Sequence, residues 1–177
     1  KLELVKGNLL QQAIEVVVAS ANNDLILGGG ITGEIRRTAG PTVQAECGAI
    51  GTIPLGQVAV TGAGELKFKH IFHAAVKPIG LFADGKSIRS AIRNCFKEAL
   101  KRQIKVIGFP AIGSGGGSFP VEKSVQIFVE EMLSASRDPV SPERVLLVIP
   151  DDKAMEIADP ILREKVPVEF WAKGLPP

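Results

Sequence analysis

The stretch "VVVASANNDLILGGGITG" (Val16–Gly33) opens as an apolar, β-branched run and closes on asparagines, an aspartate and glycines. A short apolar run bounded by such turn formers reads as a buried strand. "VIGFPAIGSGGGSFP" (Val106–Pro120) makes the same transition. Each loop leaves a strand and enters a helical pattern. In open α/β sheets, ligands bind in the crevice beyond the carboxyl ends of the strands. Backbone N–H groups at helix N-termini and in turns, unhindered by Cβ atoms, attract anions and phosphate above all. Glycines in either loop alone are equally explained by a tight turn. Two such loops at matching positions favour a phosphate or diphosphate ligand.

Outward from these loops, short apolar runs alternate with amphipathic stretches. Strands are expected at 2–5, 15–20, 56–64, 70–76, 105–111 and 144–150. Helices are expected at 32–40, 41–50, 87–102, 121–136 and 152–165, the last interrupted by Pro160. In 87–102 the residues Ile88, Ala91, Ile92, Cys95 and Ala99 recur three and four apart, giving one buried stripe. "RVLLVIP" and "VVVAS" are apolar almost throughout, as when helices cover both sheet faces. The expected fold class is α/β, a three-layer α/β/α sandwich around a mixed central sheet. It forms one domain over 1–177, with 166–177 as a C-terminal tail or edge strand.

Composition narrows the function. A chain of 177 residues, 45% hydrophobic, can bury a core without disulfides or metal. A net charge of +2 argues against specific nucleic-acid binding, and no run approaches a membrane span. Cys47 and Cys95 have no metal-ligand spacing and read as buried thiols, which suggests an intracellular, cytoplasmic setting. No metal and no cofactor are expected. "GGGITG" (28–33) satisfies G-x-G-x-x-G, but eight residues separate Ala19 from Gly28, whereas a dinucleotide turn follows its strand directly. No G-K-[ST] follows the second glycine run, so a P-loop is absent too.

Several ordered motifs together resemble the macrodomain family, an ADP-ribose-binding α/β/α module, over about the first 150 residues. "KGN" (6–8) resembles the family's K-G-D-I-T opening. "VVVASANNDLILGGGITGEIRRTAGP" (16–41) resembles its I-V-N-A-A-N…G-G-G-V-x-x-A-I…A-A-G-P signature. "FPAIGSGGGSFP" (109–120) resembles its second phosphate loop. The resemblance implies a ligand site made of Asn8, Leu9, Asn22, Gly28, Gly29, Gly30, Ile31, Thr32, Ser114, Gly115, Gly116, Gly117 and Ser118. Asn8 stands where the family has an Asp accepting from the adenine amino group, and Leu9 would contact adenine through its backbone. Gly30, Ile31 and Thr32 would line the diphosphate from one side and Ser114–Gly117 from the other. Asn22 would hold the distal ribose, although an Asn there is also a turn former.

The resemblance leaves binding and catalysis both open. Some members hydrolyse ADP-ribose linkages or derivatives and others only bind. Here Ala19 replaces the first asparagine of N-A-A-N, and Leu27 precedes the glycines where one branch has His. Thr32 stands where one hydrolase branch has a catalytic Asp, and a Thr hydroxyl is no base near neutral pH. Gly117 takes the place of an aromatic, with Phe119 two residues on as a packing residue. These departures favour a binder of ADP-ribose or ADP-ribosylated protein. The alternative is a hydrolase, phosphatase or deacetylase of ADP-ribose derivatives, with Asn22 and a ligand-phosphate-assisted water as its machinery. A third reading is a pocket for another nucleotide or an interaction role. The basic stretch "KEALKRQIK" (97–105) reads first as a solvated face, with poly(ADP-ribose) as a further candidate partner.

Overall fold

Val16, Val17, Val18 and Ala19 are wholly buried, so both faces of the strand that holds them are covered. In the computed structural model, which describes residues 1–172, the strands are β1 (Leu2–Lys6), β2 (Val16–Asn22), β3 (Val58–Thr61), β4 (His70–Lys77), β5 (Val106–Phe109) and β6 (Arg144–Ile149). The helices are α1 (Gly30–Ala39), α2 (Pro41–Ile50), α3 (Gly85–Lys101), α4 (Val121–Ala135) and α5 (Asp152–Lys165). The sheet order is β1-β6-β5-β2-β4-β3, parallel except for β3, which runs antiparallel to β4. The expected mixed sheet and three layers are therefore present.

Alternation along β2 splits the core. Val16 and Val18 join Phe72, Ile107, Phe109 and Leu147 under α3, α4 and α5. Ala19 and Ala21 face α1 and α2, where Ile35, Ala39, Val43 and Cys47 close the layer. Beneath β5 and β6 the described helices contribute only the first turn of α1, through Ile31. A 3-10 turn, Leu9–Gln11, and the segment after it lie directly on the sheet there. Gly108 makes that possible, because a Cβ on it would come within 2.6 Å of Ile14 Cδ1 and 2.9 Å of Leu9 Cδ1.

Element ends follow their caps. Asp84 accepts from Ser87 N–H at 2.8 Å, which starts α3 two residues before the expected Ser87. β3 is shorter than expected: a turn at Leu55–Gly56 precedes it, and irregular chain begins at Gly62 after it. Pro160 does not interrupt α5, which runs unbroken from Asp152 to Lys165. Pro160 and Glu156 are both exposed, so water can satisfy the Glu156 carbonyl left without its usual donor, while Ala158 and Leu162 stay buried. The tail forms a 3-10 turn, Val168–Phe170, and a single parallel bridge between Leu2 and Trp171 rather than a full edge strand. Residues 173–177 of the expected tail lie outside the described residues. No described helix is long and apolar enough to cross a membrane.

Candidate functional site

Five parallel strands end on one edge of the sheet, in the order Asn8 (after β1), Pro150 (β6), the 110–118 loop (β5), Asn22 (β2) and Lys77 (β4). The two glycine-rich loops leave neighbouring strands, β2 and β5. From β1 to β2 there are three strand steps, or about 14 Å at the usual spacing.

The first loop is anchored by its apolar residues. Leu25 and Leu27 are buried beneath α1 and α2, while Ile26 and Gly28–Gly30 are exposed. Gln44 of α2 clamps both leucines: its Oε1 accepts from Leu27 N–H at 2.9 Å and its Nε2 donates to Leu25 O at 3.2 Å. Asp24 accepts from the Thr52 hydroxyl at 2.7 Å and sits at the solvated tip. Asn22 builds the turn itself, donating to Ile26 O at 2.8 Å and accepting from Ile26 N–H at 3.2 Å. That leaves one N–H and one lone pair of its amide for a ligand.

Gly29 caps α1 without a side-chain bond, and Gly30 has φ +56. The Thr32 hydroxyl donates to Gly29 O at 2.8 Å, and the residue is buried. The backbone N–H groups of Gly28 through Thr32 meet no protein acceptor among the described residues. They form a patch of donors at a helix N-terminus.

The second loop closes on itself. Ser114 N–H donates to Ala111 O, Ser118 N–H to Gly115 O, and Gly113 N–H to Ser20 Oγ at 3.2 Å. The N–H groups of Ser114 and Ser118 are thus engaged, whereas those of Gly115, Gly116 and Gly117 have no protein acceptor among the described residues. Gly117 is buried against the chain that follows β4: its carbonyl accepts from Ala83 N–H at 3.0 Å, and a Cβ would lie 2.7 Å from Gly113 O and 3.0 Å from Ala83 Cβ. An aromatic side chain at 117 is excluded by that packing. Phe119 packs against the core.

At the β1 end, Asn8 caps the 3-10 turn through Oδ1, which accepts from Leu10 N–H at 2.8 Å. Its Nδ2 donates to Glu34 Oε1 at 2.9 Å. Leu9 is buried, and its N–H has no protein acceptor among the described residues. Glu34 thereby joins the candidate site, although the sequence alone did not single it out. It stands at the alanine of the G-G-G-V-x-x-A-I pattern, so it departs from that pattern as Asn8 departs from K-G-D-I-T, and the two departures touch. Asp151 caps α5, accepting from Ala154 N–H at 2.8 Å.

His73 and Cys47 form a buried pair below the first loop, with Cys47 Sγ 3.8 Å from His73 Nε2. The Thr61 hydroxyl donates to Gly62 O at 2.8 Å, so the 2.9 Å contact from His73 Nε2 to Thr61 Oγ1 is a donation by the imidazole. His73 Nδ1 is left buried without a partner. Burial lowers the His73 pKa to about 4 and raises that of Cys47 to about 11, so both are neutral near pH 7 and no thiolate–imidazolium pair forms. The basic residues Lys97 and Lys101 are exposed toward the end of α3, and α3 leads away from the cleft to the amino edge of β5. Among the described residues no group of three or more His, Cys, Asp or Glu side chains could hold a metal.

The comparisons with known proteins agree with this architecture. The family model described as Macro domain matches residues 18–128. A Macro domain-containing protein of Caldanaerobacter subterraneus subsp. tengcongensis is 35% identical over 164 residues, spanning 89% of this chain and 93% of that protein. A protein of Enterobacter cloacae subsp. cloacae named O-acetyl-ADP-ribose deacetylase is 29% identical, spanning 93% of this chain and 95% of its own. The Trypanosoma brucei macrodomain, solved in complex with ADP-ribose, superposes with a TM-score of 0.83 at 21% identity, over 91% of this chain and 68% of that one.

Proposed function

The chain belongs to the Macro domain family, and from that premise we propose that it binds ADP-ribose, free or attached to protein, along the carboxyl edge of the sheet. One observation carries the reading: two sets of backbone N–H groups with no protein acceptor among the described residues, Gly28–Thr32 and Gly115–Gly117, stand on loops from adjacent strands. A diphosphate between them would accept from both sides without any cation being required. The strand order is compatible with the rest of the proposed pose. The adenine falls toward Asn8 and Leu9, and the distal ribose toward Asn22, on opposite sides of the β5 loop.

A second reading, hydrolysis of an acyl group from ADP-ribose, is favoured by the similarity to the O-acetyl-ADP-ribose deacetylase. The local chemistry supports binding first. Ala19 and Leu27 are buried, the Thr32 hydroxyl is occupied by Gly29 O, and Gly117 has no room for a side chain. None of these four positions carries a carboxylate or an imidazole, and a water at the distal ribose would be oriented by Asn22 and the ligand's own phosphate oxygens. Calorimetry with ADP-ribose, ADP and AMP tests the binding reading, and absence of heat with ADP-ribose refutes it. Incubation with O-acetyl-ADP-ribose and with a glutamate-ADP-ribosylated protein tests the second. Turnover that Asn22→Ala abolishes would make the protein a hydrolase.

A further inference from the structure

Lys77 ends β4 beside Asn22 of β2, its partner in the sheet register. Its backbone is held there, because its carbonyl accepts from Asn23 N–H at 3.0 Å. The side chain reaches back over the end of β2 to the second glycine loop, where Nζ donates to Gly116 O at 3.3 Å. That bond is longer than the usual 2.7 to 3.2 Å, about the limit for a good N–H···O bond, and it uses one of three ammonium donors. No carboxylate pairs with Lys77 among the described residues. Among the described residues, a half-buried cation with a single weak partner thus lies against a loop whose Gly115, Gly116 and Gly117 N–H groups have no acceptor.

We propose that Lys77 is the charged anchor for the second phosphate of the ligand, the one that bears the distal ribose. The proposal rests on the ADP-ribose reading and deepens it. Backbone amides present only partial charges, and Lys77 supplies a full one at a single end of their cradle. β4 lies beyond β2 in the sheet, so the ammonium enters from the side opposite Asn8. A phosphate next to the adenosine is nearer the β1 end and gains little from it. The second phosphate lies between the second glycine loop and Asn22, where the ammonium can exchange the Gly116 carbonyl for a phosphate oxygen and gain charge assistance. The site therefore distinguishes a nucleoside diphosphate from a monophosphate by charge as well as by length.

The alternative is that Lys77 only staples the loop. Affinities for AMP, ADP, ADP-ribose and inorganic pyrophosphate, measured on wild-type protein, Lys77→Gln, Lys77→Met and Lys77→Arg at low and high salt, separate the two. Glutamine can still donate to Gly116 O but carries no charge, whereas arginine restores the charge. The expected result is a loss of about tenfold for ADP and ADP-ribose in both neutral variants, with AMP unchanged and most of the loss recovered in Lys77→Arg. The salt dependence of ADP binding should fall toward that of AMP in the neutral variants. Equal weakening of AMP and ADP, or full affinity in Lys77→Gln, overturns the anchor and leaves the ADP-ribose reading standing. Failure of the wild-type protein to bind ADP-ribose overturns both. Far-UV circular dichroism and melting curves establish that each variant is folded.

Discussion

Replacing Gly30 by Glu places a carboxylate in the donor patch at the start of α1. A Cβ on Gly30 meets nothing within 4 Å, so the side chain has room. Two effects follow and act on different measurements. The first is backbone strain: φ is +56, where a residue with a Cβ costs about 1–2 kcal/mol. For a chain of this size that lowers the melting temperature by about 2–8 °C, with or without ligand. The second is charge. A carboxylate about 5 Å from a phosphate in an effective dielectric of about 20 is repelled by roughly 3 kcal/mol, and solvent at the exposed rim reduces this to about 2–3. The carboxylate also accepts from the free N–H groups meant for the ligand, which helix-terminus electrostatics favours by about 0.3–1 kcal/mol. Together these come to about 2.3–4 kcal/mol, so the affinity for ADP-ribose should fall roughly 45- to 700-fold, taking about 1.4 kcal/mol per factor of ten. Gly30→Ala carries the strain alone, and Gly30→Gln adds the bulk without the charge. Titration calorimetry on the three variants beside the wild type reads the affinity, and thermal melting without ligand reads the strain. If Gly30→Glu and Gly30→Gln bind ADP-ribose equally well, the donor patch does not face the diphosphate and its assignment is wrong.

Acidification should expose the cost of the buried imidazole. The His73 pKa is lowered from 6.5 to about 4 by burial, so between those values the unfolded chain holds a proton that the folded one does not. This contribution is fully present above about pH 6.5 and is lost as the pH falls toward 4, by at most about 3 kcal/mol. Denaturant unfolding across that range measures it, and an unchanged slope in His73→Asn would contradict the assignment. At the other end of the cleft, the Glu34 carboxylate that holds Asn8 can also accept from an adenine amino group, which a hypoxanthine base replaces with an acceptor. The wild-type protein should therefore prefer ADP to IDP, and Glu34→Ala should narrow that preference by about tenfold. A ratio that does not move removes Glu34 from base recognition.

The strands and helices were legible because burial imposes period on sequence. The stripe in α3 and the unbroken apolar run in β2 name the covered faces before any neighbour is known. Pro160 misled for a related reason: a proline's cost depends on whether the freed carbonyl meets water, and exposure at Glu156 is a tertiary fact. The glycine loops were legible because both follow strands, yet which of their N–H groups stay free was not. Ser114 and Ser118 look like donors until their partners inside the loop are seen. Lys77 gave no signal, and Glu34 only that of an acid standing at an alanine of the loop pattern. Each reads as an ordinary surface charge, and each acquires its meaning from a residue far along the chain, Gly116 and Asn8 respectively. Asn22 is the instructive middle case, since both readings of it survive. Its amide closes the turn onto Ile26, and that closure fixes the side chain while leaving one donor and one acceptor unused. A ribose hydroxyl bound there would meet an amide already ordered by the fold, so the turn lowers the entropy cost of the contact instead of competing with it.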